Sequence, residues 1–341
     1  MNLELGQRFD KRTGLASLRA KRTSTVMKGL RSSEYTASLA QSEAMWDAAA
    51  TTPTLASPIL RYYALLQAGR AVSAASALGN NQWQTVGGHG LKLHVPAGLD
   101  PITASLSEVV VDTYLDGAAQ KLADALDSPL LAKPVPLLDL IAALPRQSPL
   151  TGIPDLPRRP LRIQPNSEQF PTGGPTLRWY NAPRNLNAPP DSTEELSIEA
   201  VLEELAHYPS LGHLTHLQQA IARSESGYVP TIQLVLKPDL NPPPKSYWDP
   251  MFLPMSFWIK CLDIAYFPAL GGDDSGLVLP SVGGNDRPQH PLVTWHLVLY
   301  AFSMLARYHS PFWRPDVARG LASRWSAGRS MVVALTKSSA G

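Results

Sequence analysis

Residues 59–77, ILRYYALLQAGRAVSAASA, constrain the fold more than any other segment. Ser57 followed by Pro58 is a helix start, with serine as the N-cap and proline at the first helical position. Gly79–Asn81 ends the run. A surface helix carries one apolar stripe, whereas this one is apolar over much of its circumference and so belongs in a core. Residues 291–308 form a second strong helix of the same character. The chain is therefore expected to wrap other elements around two buried helices.

Other segments supply those elements. Residues 31–50 read as a helix, because Tyr35, Leu39, Ala40, Met45 and Trp46 recur at near-helical spacing. The GGHGL run at 87–91 reads as a tight turn that uses glycine's conformational freedom. Residues 91–95 and 108–113 read as short strands, the second favoured by the β-branched run Val109, Val110 and Val111. Helices are expected over 116–126, 137–144, 193–208 and 211–224, with a last one over 315–337. Residues 229–236 read as a strand, 248–267 as a buried and partly helical aromatic segment, and 271–288 as a loop.

The 341 residues suffice for one large domain or two ordinary ones, and 44% apolar content can build a sizeable core. A net charge of +2, from 30 basic and 28 acidic residues, argues against a general nucleic-acid binder. One cysteine, Cys261, excludes an intramolecular disulfide and cysteine-rich zinc sites, and fits a reducing, cytoplasmic setting. The start lacks the apolar stretch of a secretory signal, and no run is long enough to span a membrane.

Many of the 32 prolines lie between Pro129 and Pro190, where helices cannot run far. Four regions are expected: a basic arm over 1–30, a helical domain with short strands over 31–145, a Pro-rich insertion or linker over 146–192, and a C-terminal helical region over 193–341 that packs on the first.

Two segments carry a resemblance. SPILRYYALLQAGRAV at 57–72 precedes HGL at 89–91, and the late helix closes with SMLARY at 303–308, then Pro311 and Trp313. Together with DLIAALP at 139–145, these resemble the bacterial YaaC-like protein family, with one extra residue between Tyr308 and Pro311. The first helix also resembles, more loosely, those of HEPN domains. The expected fold is accordingly mainly α: an HEPN-like helical bundle with a few short β-strands and a Pro-rich insertion. The YaaC-like resemblance implies no settled activity. The HEPN one implies either metal-independent ribonucleases or non-catalytic modules, both used in bacterial defence.

The catalytic HEPN signature sets an Arg four to six residues before a His, so that a cation and an acid–base group meet one phosphate. No arginine here has that spacing: Arg307 precedes His309 by too little, as Arg287 does His290. Arg70, His89 and Arg307 remain the polar residues of most interest. An arginine on an apolar helix needs a partner or solvent. The three could form an anion or phosphate pocket. Alternatively, each arginine caps carbonyls or pairs with Glu108 or Asp112, and His89 bonds the backbone of its turn.

Other constellations are weaker. His207, His213 and His216 lack a completing ligand apart from Glu203 or Glu204, and His290 and His296 are badly spaced for joint ligation. Asp273, Asp274 and Asp286 read as a solvated loop. No phosphate loop, dinucleotide fingerprint or nucleophile elbow is present, so no metal or cofactor is expected. Cys261, Trp248, Phe252, Phe257 and Trp258 read as core. Arg8, Lys11, Arg12, Arg19, Lys21, Arg22 and Lys28 make the best nucleic-acid candidate, through salt-dependent phosphate contacts.

The leading expectation is a non-catalytic binding or accessory protein, with a protein partner or a second copy of itself, in a defence complex. The alternatives are a phosphate-acting enzyme using Arg70, His89 and Arg307, and nucleic-acid binding through the N-terminal arm.

Overall fold

The computed structural model describes residues 30–75, 88–98, 106–114, 116–144, 159–166, 176–180, 186, 188–189, 191–209, 211, 217–224, 231–236, 266–268, 276–309, 311 and 313. The chain divides into two compact units. One comprises Met1–Pro157, Val282–Asn285 and Gln289–Gly341; the other comprises Arg158–Ser281 and Asp286–Pro288.

The first unit contains α1 (Leu30–Thr51), α2 (Ser57–Ala75), β1 (Leu91–His94), β2 (Val110–Thr113), α3 (Ala118–Ala125), β3 (Val135–Pro136), α4 (Leu137–Ala143) and, late in the chain, α6 (Pro291–Tyr308). Helix α2 begins at Ser57 with Pro58 in its first turn, as its sequence predicts. It packs against α1, α3 and α6, which is why it needs no polar face. Ala64, Ala68 and Ala71 are fully buried and let neighbouring helices come close. Tyr35 and Leu39 near the start of α1 meet Ala71 and Ala74 near the end of α2. There Arg31 Nε donates to the Ala74 carbonyl at 3.0 Å, a cation on a helix's C-terminal carbonyls.

Strands β1, β2 and β3 form an antiparallel sheet with β2 central, and Val109 and Val111 turn into the same core as α2, α3, α4 and α6. Helix α6 is capped by His290, whose Nδ1 accepts from the Leu292 amide at 3.2 Å, with Pro291 in the first turn. The His290 amide in turn donates to Ser128 Oγ at 2.9 Å. Beyond α6, the Trp313 indole donates to the Leu55 carbonyl at 2.7 Å and lies against Phe302. The late Pro–Trp motif thus pins the chain to the turn between α1 and α2.

The second unit contains β4 (Leu161–Asn166), β5 (Thr176–Tyr180), β6 (Ser192–Glu195), α5 (Ile198–Leu205), β7 (Leu217–Ser224), β8 (Thr231–Leu236), β9 (Tyr266–Pro268) and β10 (Gly276–Val278). Its strands form one seven-stranded antiparallel sheet in the order β6-β7-β8-β5-β4-β10-β9. Register puts Trp179, Ile232, Leu234, Ala220 and Ala222 on one face, where they share a core with Val201 and Leu205 of α5. Ser197 caps α5 through its side chain, accepting from the Ala200 amide.

This sheet overturns the mainly α expectation and its HEPN-like bundle core: the described residues hold six helices and ten strands in two antiparallel sheets. The differences are local and explicable. LQQAIARS at 217–224 has helix-forming residues, yet it forms β7 because β6 and β8 bond it on both sides. Propensity is a weak prior against two ladders. In the segment predicted as a helix over 193–208, Ser192–Glu195 joins the sheet as β6 and only Ile198–Leu205 is helical. The Pro-rich stretch supplies β4 and β5. Proline enters β4 at position 165, opposite Leu177 of β5; among the described residues β10 pairs with β4 only at Leu161, Arg162 and Ile163.

Candidate functional site

The site is built on the HGL turn of the first unit. Gly88 and His89 carbonyls accept from the Ala118 and Ala119 amides, both at 3.1 Å, and so satisfy the first N–H groups of α3. The Tyr114 amide donates to the Gly90 carbonyl at 3.0 Å. Gly90 has φ +69, and a Cβ there would stand 2.9 Å from the Gly117 Cα. Left-handed backbone and close approach both demand glycine at this position. The turn is therefore clamped along its backbone, and the His89 side chain leaves it in a set direction.

Two helices receive that side chain. From α2, the Tyr62 hydroxyl lies 2.7 Å from His89 Nδ1. From α6, Tyr300 packs its ring 5.8 Å from that of His89 and donates its hydroxyl to the Leu91 carbonyl at 2.9 Å. Tyr62 also contacts the rings of Tyr300 and His296. His296, Tyr300 and Arg307 recur at helical spacing on one face of α6. The group grades from buried to open: His296 has no exposed surface, Tyr62 is fully buried, His89 is half-buried and Arg307 is exposed.

Burial and charge decide the protonation states. Burial pushes the Tyr62 phenol far above its usual range, so it stays a hydrogen-bond donor. Tyr300 is pushed up to about 12 for the same reason. His89 is lowered, first by desolvation and second by the positive charge of Arg307, and is neutral at pH 7. His296 is lowered to about 3 by burial, with His89 contributing. Among the described residues, neither His296 ring nitrogen has a hydrogen-bond partner.

The tautomer of His89 follows. The Tyr62 hydroxyl has no other partner among the described residues. If Nδ1 donated to it, the buried phenolic proton would have no acceptor, which is costly. Assigning that proton to this bond makes Nδ1 the acceptor and puts the ring proton on Nε2. His89 then offers an N–H donor in the field of the Arg307 guanidinium.

Of the residues singled out in the sequence, His89 packs on Tyr300 of α6, and Arg307 lies two turns further along the same helix. Arg70 lies two turns beyond Tyr62 on α2, about 12 Å along the axis. Asp112 stands 3.7 Å from His94. Arg8, Lys11, Arg12, Arg19, Lys21, Arg22, His213, His216, Cys261, Asp273 and Asp274 lie outside the described residues, as do Trp248, Phe252, Phe257 and Trp258. Among the described residues, no three His, Cys, Asp or Glu side chains group to hold a metal ion, and no helix is long and apolar enough to cross a membrane. Sequence reading missed Tyr62, His296 and Tyr300 as site members. The signals were the paired tyrosines of the first motif and the regular spacing of His296, Tyr300 and Arg307.

No curated protein and no solved structure matches the chain. The family model described as YaaC-like protein matches residues 17–318, spanning α1, α2, the HGL turn and α6. With both motif-bearing helices and the turn between them inside that match, the chain belongs to the YaaC-like protein family.

Proposed function

We propose that the first unit is a non-catalytic binding module that takes an anionic group, a phosphate, on His89 and Arg307. One observation carries the reading: the Tyr62 hydroxyl on His89 Nδ1, which leaves Nε2–H as a neutral donor, with Arg307 two turns past Tyr300 on the helix that packs against the His89 ring. Such donors, positioned in advance, favour anions. The same bond disfavours general-base catalysis. A base needs an open lone pair, and the imidazole lone pair is already engaged by Tyr62.

Calorimetric titration with inorganic phosphate and pyrophosphate tests this. The intact protein should bind. His89→Ala and Arg307→Ala should each weaken binding about ten-fold or more, the loss of one charge-assisted hydrogen bond, with circular dichroism unchanged. Arg70→Ala should leave affinity as it was. Absence of binding by the intact protein would reject the proposal. Turnover of an RNA or phosphomonoester that vanishes in His89→Ala would show that the module is catalytic instead.

A further inference from the structure

The mouth of this cluster carries bare aromatic surface. Only three large apolar side chains are exposed among the described residues: Leu55, Tyr114 at 50% and Tyr308 at 60%. Tyr114 borders Tyr300. The Tyr114 hydroxyl donates to the Leu91 carbonyl at 2.9 Å, the same atom that accepts from Tyr300. Tyr308 follows Arg307 at the end of α6, and the Arg307 guanidinium covers one of its faces, 4.7 Å from the ring centroid, and donates to its hydroxyl.

Single exposed apolar side chains are ordinary. One exposed ring on the carbonyl that Tyr300 also uses, with Tyr300 packed on His89, and a second exposed ring under the Arg307 guanidinium are a different arrangement. The Tyr114 ring is tethered by its hydroxyl and the Tyr308 ring is held by the cation on it. Both offer flat apolar area whose rotamer freedom is already restricted. The donor pair suits one phosphate, and the rings beside it suit a planar heteroaromatic group. Every nucleobase has such a face, and base–aromatic stacking tolerates sequence.

We infer that the ligand is a nucleotide, its phosphate on His89 and Arg307 and its base stacked on Tyr308 or Tyr114. This rests on the anion-binding reading and adds the base. The full chain should be titrated with inorganic phosphate, ribose 5-phosphate, AMP and UMP, and with a ten-nucleotide single strand. The nucleotides should bind about 5- to 150-fold more tightly than ribose 5-phosphate, the range that stacking one base provides. Tyr308→Leu and Tyr114→Leu should each be read as the ratio of nucleotide to inorganic-phosphate affinity, because Tyr308 also holds the Arg307 guanidinium; at least one of them should erode that ratio, and an unchanged ratio in both overturns the stacking. Equal affinity for ribose 5-phosphate and the nucleotides overturns the inference and leaves the anion site standing. Failure of phosphate itself to bind overturns both. A strand that binds more tightly than the mononucleotides supports the inference with nucleic acid as the source. Equal binding supports it with a free nucleotide.

Discussion

Gly117 and Gly90 pass backbone to backbone: a Cβ built on Gly117 would stand 2.2 Å from the Gly90 Cα. The neighbour is main chain, so no rotamer change relieves the overlap. Replacing Gly117 by Ala should cost on the order of 3 kcal/mol, read as a lower urea midpoint. Gly88→Ala is the control, because a Cβ there meets nothing within 4 Å. If both variants unfold at the same urea concentration, the close approach does not exist.

His89 should report Arg307. Its pKa is lowered by desolvation first and by the Arg307 charge second. Removing that charge in Arg307→Gln makes the imidazolium easier to form, so the His89 pKa should rise. It should stay below the ordinary value, because desolvation remains. Titration of the ring resonances by NMR measures this directly. A pKa that falls or stays fixed would separate the two residues.

The protein should lose stability on mild acidification. Burial lowers His290 to about 4 and His296 to about 3, against about 6.5 in the unfolded chain. Below pH 6.5 the unfolded chain binds these protons and the folded one does not, so stability falls as pH drops from 6.5 towards 4. The two histidines together contribute a slope of up to about 2.7 kcal/mol per pH unit. His296→Phe should flatten the profile, which denaturant titrations at stepped pH would show. An unchanged slope in this variant would mean that His296 is not buried.

Gln233 is buried in β8, opposite Arg178 of β5 and Ile221 of β7, and among the described residues neither its amide oxygen nor its amide nitrogen has a hydrogen-bond partner. An unbonded buried amide is costly, and an apolar group of similar shape avoids that cost. Gln233→Met should therefore raise stability by about 1 kcal/mol, seen as a higher melting temperature. A clear loss would show that the amide is bonded in solution.

Much of the first unit is legible in its amino-acid sequence. Ser57–Pro58 marks the start of α2, and the predicted 291–308 helix coincides with α6. The strands β1 and β2 are announced by their valines and leucines. The second unit is far less legible. LQQAIARS carries no alternation to mark a strand, and Pro165 argues against one; both segments are strands because of what pairs with them. Two members of the candidate site are visible as well. His89 stands out between glycines and Arg307 at a helix end, but Tyr62 and His296 look like two more residues of apolar helices.

The dividing line is the range of the interactions. Caps, proline at a helix start, glycine at φ +69 and an all-round apolar helix act within a few residues, so the sequence alone determined α2, α6 and the HGL turn. The seven-stranded sheet and the meeting of Tyr62 with His89, 27 residues apart, depend on hydrogen bonds between segments that only the folded chain brings together. Only the tertiary structure could decide those, because a strand or a buried polar pair is stabilised by a partner that its own local sequence does not name.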